Sequence, residues 1–132
     1  MDIRSREDID RLVADFYSIL IDDPLIGHHF DGLDLTTHLP LIADFWEKTI
    51  YARPVYFGNP LVAHQVLNDK YPLTPEQFTR WVEIFTASVD RLFAGPIAEK
   101  AKYQARMIAD SLNQRINQDL RFAGLNSHLL PK

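Results

Sequence analysis

Tyr56-Phe57-Gly58-Asn59-Pro60-Leu61-Val62-Ala63-His64 is the stretch on which the reading of this chain turns. Asn59 stands where a side-chain oxygen accepts from the first free amides of a helix, and Pro60 at the first helical position gives up an amide that had no partner. His64 then falls at the start of the second turn. Leu61 lies three residues back and Leu67 three ahead, so the imidazole faces the apolar side of the helix. An inward imidazole must satisfy two ring nitrogens. A backbone carbonyl plus a metal would do so, and so would ordinary hydrogen bonds; the spacing alone leaves both open.

Working outward, every other periodic stretch also reads as helix. Ser5 precedes Asp8 in a capping pattern, and Ile9, Leu12, Val13, Phe16, Tyr17 and Leu20 recur at threes and fours, predicting a helix over about 7–22. Pro24, Gly27 and Gly32 break the pattern, leaving a short helical turn that ends at Phe30, with His28 and His29 expected to be solvated. The next inner stripe is His38, Ile42, Phe45, Trp46 and Ile50. Because proline is tolerated in a first turn, Pro40 predicts a helix capped by Thr36 or Thr37, with His38 at its very start. Arg53-Pro54 closes that helix, and the His64 helix runs on to about Lys70-Tyr71-Pro72. Thr74-Pro75-Glu76-Gln77 carries a cap, a first-turn proline and a capping-box glutamine ahead of Phe78, Trp81, Val82, Phe85, Val89, Leu92 and Phe93. Gly95-Pro96 opens the last helix, whose inward residues are Ile97, Ala101, Ala105, Ile108, Ala109, Leu112, Ile116 and Leu120. Gly124 ends it. No stretch alternates with period two, so no strands are expected.

Composition narrows the function classes. The 132 residues suit one domain, read as a core over about 6–122 and a C-terminal tail over 123–132. With 46% hydrophobic and 24% charged residues the chain reads as globular, and no run approaches the roughly 20 apolar residues a bilayer requires. The N-terminus lacks the charged-then-apolar pattern of a secretory signal, which favours a cytoplasmic location. A formal net charge of -4 with interspersed signs offers no field for nucleic acid or an anionic membrane. Without cysteine there is no disulfide, thiolate nucleophile or thiolate-held metal. Any metal must use His, Tyr or carboxylate, and the carboxylates are expected on solvated helix faces.

Catalytic templates are missing: no His-Glu-x-x-His, no Gly-x-Ser-x-Gly, and no Glu-x-x-His pair of the di-iron bundle kind. What converges on one interior is His38, Tyr17 and Trp81 with His64. As packing residues, Tyr17 and Trp81 need only a backbone partner for their polar tips. As a pocket, the four would present one imidazole to hold iron and three donors facing it.

In this order and spacing the residues resemble the truncated haemoglobins, specifically their third group. Phe16-Tyr17 looks like that group's pair carrying the distal tyrosine, and Phe30 resembles the phenylalanine that stacks on the porphyrin. His38 followed by Phe45-Trp46 is similar to the distal histidine and the Phe-Trp pair behind it. Tyr56-x-Gly58-x-Pro60-Leu61-x-x-His64 looks like the segment ending in the proximal histidine, and Phe78-x-x-Trp81-x-x-x-Phe85 like the helix with the distal tryptophan. Gln104-Ala105-Arg106-Met107-Ile108-Ala109 is close to the last helix. The match spans about residues 8–118, and the Gly-Gly loops of the first two truncated groups are missing, as the third group requires.

The resemblance implies an all-α truncated globin fold, a two-over-two helical sandwich around a haem pocket, in a single globin domain. It implies haem b as cofactor, with His64 as the proximal iron ligand. Phe30, His38, Phe45, Trp46, Arg53, Tyr56 and Leu61 would contact the cofactor; Tyr17, His38 and Trp81 would face the ligand. The cofactor's propionates would need cations at the pocket mouth, and Lys48, Arg53 and Lys70 are nearby in sequence, with no choice among them. Oxygen, nitric oxide or another diatomic molecule would be the ligand. Nitric oxide dioxygenation or peroxide handling would then be the activity, with a reductase as electron donor. The alternative is a haem-free globin-like helical interaction or sensor module. His28, His29 and His128 carry no role in this reading.

Overall fold

The computed structural model describes residues 1–56 and 58–118, the side chains of Leu67, Lys70 and Gln118 excepted. Five α-helices follow one another: α1 (Arg6–Leu20), α2 (Leu35–Tyr51), α3 (Pro60–Lys70), α4 (Pro75–Leu92) and α5 (Pro96–Asn113). A 3-10 turn, Gly27–Phe30, lies between α1 and α2, and α5 runs on into a π-helical turn, Gln114–Gln118. No strand occurs among the described residues. The expectations for Leu120, Gly124, His128 and the tail lie outside the described residues, as do those for Phe57 and for the side chains of Leu67 and Lys70.

The helices stand where their caps put them. Ser5 accepts from the Asp8 amide, and Asp8 accepts from the Arg4 amide in return. Thr74 and Gln77 complete the capping box, with Pro75 opening the helix behind Thr74. The start of α5 has no side chain of its own to cap it, because Gly95 (φ 143) and Pro96 occupy the positions. Asp2 supplies the cap from a distance: its carboxylate accepts from Ile97 N at 2.9 Å and Ala98 N at 2.8 Å. A Cβ on Gly95 would sit 2.5 Å from the Asp2 carboxyl carbon, so glycine there serves both the positive φ and the close approach.

The α2 start differs from the sequence expectation. Asp34, not Thr36 or Thr37, is the cap; it accepts from Thr36 N at 3.1 Å, and the helix begins at Leu35. Pro40 therefore lies in the second turn, inside the helix, and the Thr36 carbonyl loses its donor. Thr36 is exposed at the helix surface, and the Pro40 carbonyl accepts from Arg6 Nη2 at 3.2 Å. α1 also stops two residues early, at Leu20 rather than 22.

Two helix pairs make two layers. α1 packs on α2 and α4 on α5, and the layers meet where α1 crosses α4 and α2 crosses α5. Trp46 from α2 stacks on Phe85 from α4 (centroids 4.5 Å apart, planes at 16°), and Trp81 lies parallel to the same ring at 5.8 Å. Phe16 meets both Phe85 and Trp81 edge-on. Ala98, Ala101, Ala105 and Ala109 are buried, and such short side chains let α5 approach its neighbours closely. Two carboxylates expected on solvated faces are buried instead. Glu47 meets Arg6 at 3.1 Å and Arg53 at 3.7 Å; Asp23 meets Arg80 at 2.8 Å and the Leu25 and Ile26 amides. Each is buried because it is paired, the condition under which a carboxylate tolerates the interior.

α3 is the exception. It makes few close approaches to the other helices. At its C-terminal end Asn68 Oδ1 accepts from Leu73 N at 2.9 Å, and Asn117 beyond α5 donates to Leu73 O at 2.9 Å. Between α3 and the two layers lies a cavity.

Candidate haem pocket

The cavity is open to solvent at its mouth, and the space in and before it, open solvent included, amounts to about 1170 Å³. Phe16, Phe30, Phe45, Trp46, Phe78 and Trp81 give it aromatic walls, with Ile26, Leu33, Ile42, Ile108 and Leu112 among them. Among the described residues the polar side chains Tyr17, His29, His38, Tyr56, His64 and Gln77 interrupt this lining. No lysine or arginine among the described residues does.

His64 is positioned by its own helix. Asn59 Oδ1 accepts from Leu61 N at 3.1 Å and Val62 N at 3.3 Å, so α3 starts at Pro60 and the imidazole falls one turn later. Its Nδ1 lies 2.7 Å from the Pro60 carbonyl oxygen, which only accepts; Nδ1 therefore carries the proton and donates. Nε2 keeps its lone pair and has no partner among the described residues. Burial lowers the pKa of His64, and a charge on His29 would lower it further, while the Pro60 carbonyl opposes both. At neutral pH the ring is a neutral base facing an apolar cavity.

Tyr17, near the end of α1, and His38, in the first turns of α2, meet at 3.1 Å between the hydroxyl and Nε2. Burial raises the pKa of Tyr17, so the phenol stays protonated. Burial likewise lowers that of His38, and His64 adds to the effect. Tyr17 is braced edge-on by Phe16 and Phe30. Trp81 is half-buried in the aromatic stack, and its indole N–H has no partner among the described residues.

The structure brings together Tyr17, Phe30, His38, Phe45, Trp46, Tyr56, His64 and Trp81 on one cavity. It places Arg53 and Leu61 elsewhere. Arg53 reaches Glu47, and its guanidinium lies 4.8 Å over the Tyr51 ring. Leu61 is partly buried against the cluster of Leu73, Phe78, Ala109, Leu112 and Ile116. Lys48 stands 5.8 Å from the Tyr56 ring, at the cavity's edge.

His29 corrects the sequence reading. Rather than solvated, it is 8% exposed and lines the cavity, with Nε2 2.9 Å from Gln77 Oε1. The physical reason is that the turn carrying it is fastened to α4 by Gln77 and by the Asp23–Arg80 pair. The signal was present in Gln77, whose capping-box role fixes its side chain at the α4 start beside this turn, but nothing local to His29 announces the partner.

No protein-family model matches this sequence, and no curated protein is similar to it at a significant level. A solved structure, the group III truncated hemoglobin from Campylobacter jejuni, superposes with a TM-score of 0.79 over 88% of this chain and 94% of that one, at 24% identity. The two helix pairs, the separate α3 and the cavity between them thus make up the all-α, two-over-two fold of a group III truncated hemoglobin.

Proposed function

We propose that this chain is a haem-binding truncated globin in which His64 is the proximal iron ligand and Tyr17, His38 and Trp81 face a diatomic ligand. The observation that carries the reading is His64 itself. A neutral imidazole whose Nδ1 is anchored on a backbone carbonyl and whose Nε2 lone pair faces a large aromatic cavity is a ligand held in its metal-binding tautomer. Phe30, Phe45, Trp46 and Tyr56 supply flat apolar walls suited to a porphyrin. The donor set, a single neutral imidazole on an aromatic wall, would hold a haem iron through His64.

Haem iron supplies an open coordination position for a gas such as oxygen or nitric oxide. The chain's own residues supply the surroundings. If His38 donates from Nε2 to the Tyr17 oxygen, the phenolic hydrogen stays available to a ligand in the cavity; the Trp81 indole N–H offers a second donor. Each such bond contributes on the order of 1 kcal/mol, about a fivefold to tenfold change in the rate at which a polar diatomic ligand leaves. The aromatic walls exclude water and so strengthen both bonds. Slow release suits turnover of the gas, such as nitric oxide dioxygenation or peroxide handling, with a reductase as electron donor and the cytoplasm as the site of action. No helix among the described residues is long and apolar enough to cross a membrane.

The test is an absorption spectrum of the purified protein with added haem. Wild type develops a strong Soret band, and His64→Ala weakens haem binding by at least about a hundredfold, with imidazole in solution restoring part of it. Identical haem binding by the two proteins removes the proximal assignment. Nitric oxide consumption by the oxygenated protein then separates turnover from storage.

A further inference from the structure

The outer face of α5 carries a stripe that the fold leaves exposed. Ala98, Ala101, Ala105, Ala109 and Leu112 turn inward on this helix. Directly opposite them lie Pro96, Lys100, Tyr103, Met107, Asp110 and Gln114, all exposed. Tyr103 and Met107, at 54% and 48%, are the large apolar side chains that α5 leaves in solvent among the described residues. The Asp110 carboxylate and the Tyr103 hydroxyl have no partner among those residues.

The stripe steps by four, three, four, three and four residues, the repeat of a seam that pairs with a second helix. It is also symmetric about the level of Ala105. Tyr103 stands two residues before that level and Met107 two after; Lys100 stands five before and Asp110 five after. A second α5 laid antiparallel across a two-fold axis there sets each tyrosine ring on the other copy's methionine and each ammonium on the other copy's carboxylate. We propose that this stripe docks a second copy of the chain through an antiparallel α5–α5 seam, Tyr103 against Met107 and Lys100 against Asp110. A two-fold interface must be complementary to itself, and here both the apolar and the charged positions are. Sulfur against an aromatic ring is a favourable contact at its centre. A parallel copy would instead set Lys100 on Lys100 and Asp110 on Asp110, which like-charge repulsion opposes. Lys100 is already held in place, because its Nζ donates to Ile50 O at 2.7 Å and keeps two further hydrogens for a carboxylate. Arg106, on the flank of the stripe, is brought toward its own copy, and the Asp110 side chains one turn along the same flank offset that repulsion.

Sedimentation velocity of the full chain over a range of concentrations reads the pairing. A single helix seam is small for a protein interface, so the dimer is weak, half-formed at on the order of 100 μM. Met107→Lys should weaken it at least about tenfold, since it puts a charge at the centre of the seam. Val62→Lys, at a residue 51% exposed on α3, leaves it unchanged. Lys100→Glu or Asp110→Lys alone places like charges at both ends and weakens pairing about tenfold; mixing the two variants restores opposite charges at both ends, and a heterodimer forms. Wild type that stays monomeric up to about 1 mM overturns the proposal and leaves the stripe to another partner. Met107→Lys that dimerises like wild type, loss of the dimer in Val62→Lys, or a mixture without heterodimer overturns it as well. Should Lys100→Glu fail to fold for want of its bond to Ile50 O, the contrast between Met107→Lys and Val62→Lys decides by itself.

Discussion

The two layers and α3 are held together by different physics. In the layers, aromatic rings from α1, α2 and α4 interlock, and the alanines of α5 bring its backbone close. α3 instead depends on its own cap, on an asparagine clip at its far end, and on a cavity wall; Val62 and Val66 on it stand largely exposed. Burial of apolar surface is the main stabilising term in a fold, so the layers hold most of the stability. The helix that presents His64 is the one least committed to the core. A ligand-binding element drawn from the low-stability end of a structure can adjust to what it holds.

The contrast breaks most visibly in the core. Phe85, fully buried and touched by three other rings, should cost about 3–5 kcal/mol when changed to alanine, read from urea unfolding. A cost under about 1 kcal/mol would mean the layers are not the seat of stability.

Acid sharpens the comparison from the cavity side. Burial is the first cause of the lowered pKa at His29, His38 and His64 alike. The unfolded chain takes up protons on these rings near pH 6.5 while the folded chain resists. Below that value the unfolded state binds more protons, so stability is retained above about pH 6.5 and falls as pH drops through it. Asp2 and Asp23 work lower on the scale. Burial opposes their ionisation, but amide bonds, joined at Asp23 by Arg80, win and hold both pKa values down, so their contribution is lost only at more acid pH. The urea midpoint of the haem-free protein should therefore be lower at pH 5.5 than at 7.5; equal midpoints would show that the buried rings do not couple to folding.

On the ligand face, Tyr17→Phe or Trp81→Phe should speed oxygen release up to about tenfold, or ~1.4 kcal/mol, in flash photolysis. Unchanged rates in both variants would remove the donor network. Smaller still, Thr74→Ala breaks the α4 capping box at about 1 kcal/mol. Val66→Ala on the exposed face of α3 should shift stability by less than about 0.5 kcal/mol, measured in the same urea series.

Much of this architecture was legible because its signals are local. The Asn59-Pro60 start, the Thr74–Gln77 box and the aromatic stripe of α4 each lie within a turn or two of what they determine, and the structure reproduces them. The start of α2 was misread for a local reason too. The first-turn rule for proline points to Thr36 or Thr37, whereas Asp34 is the cap, because the exposure of Pro40 in the second turn cannot be read from its neighbours. Asp2 capping α5 from the other end of the chain, and Gln77 reaching back to His29, are pairings between distant residues.

By itself, then, the sequence determined five helices, their order, and which inward faces carry Tyr17, His38, Trp81 and His64, because periodicity and capping act over a few residues. Only the tertiary structure decided that those side chains share one cavity, that Arg53 and Leu61 are not among its lining residues, and that His29 is buried on its wall. Those outcomes depend on which helices meet, and that is set by packing of the whole core rather than by any segment within it.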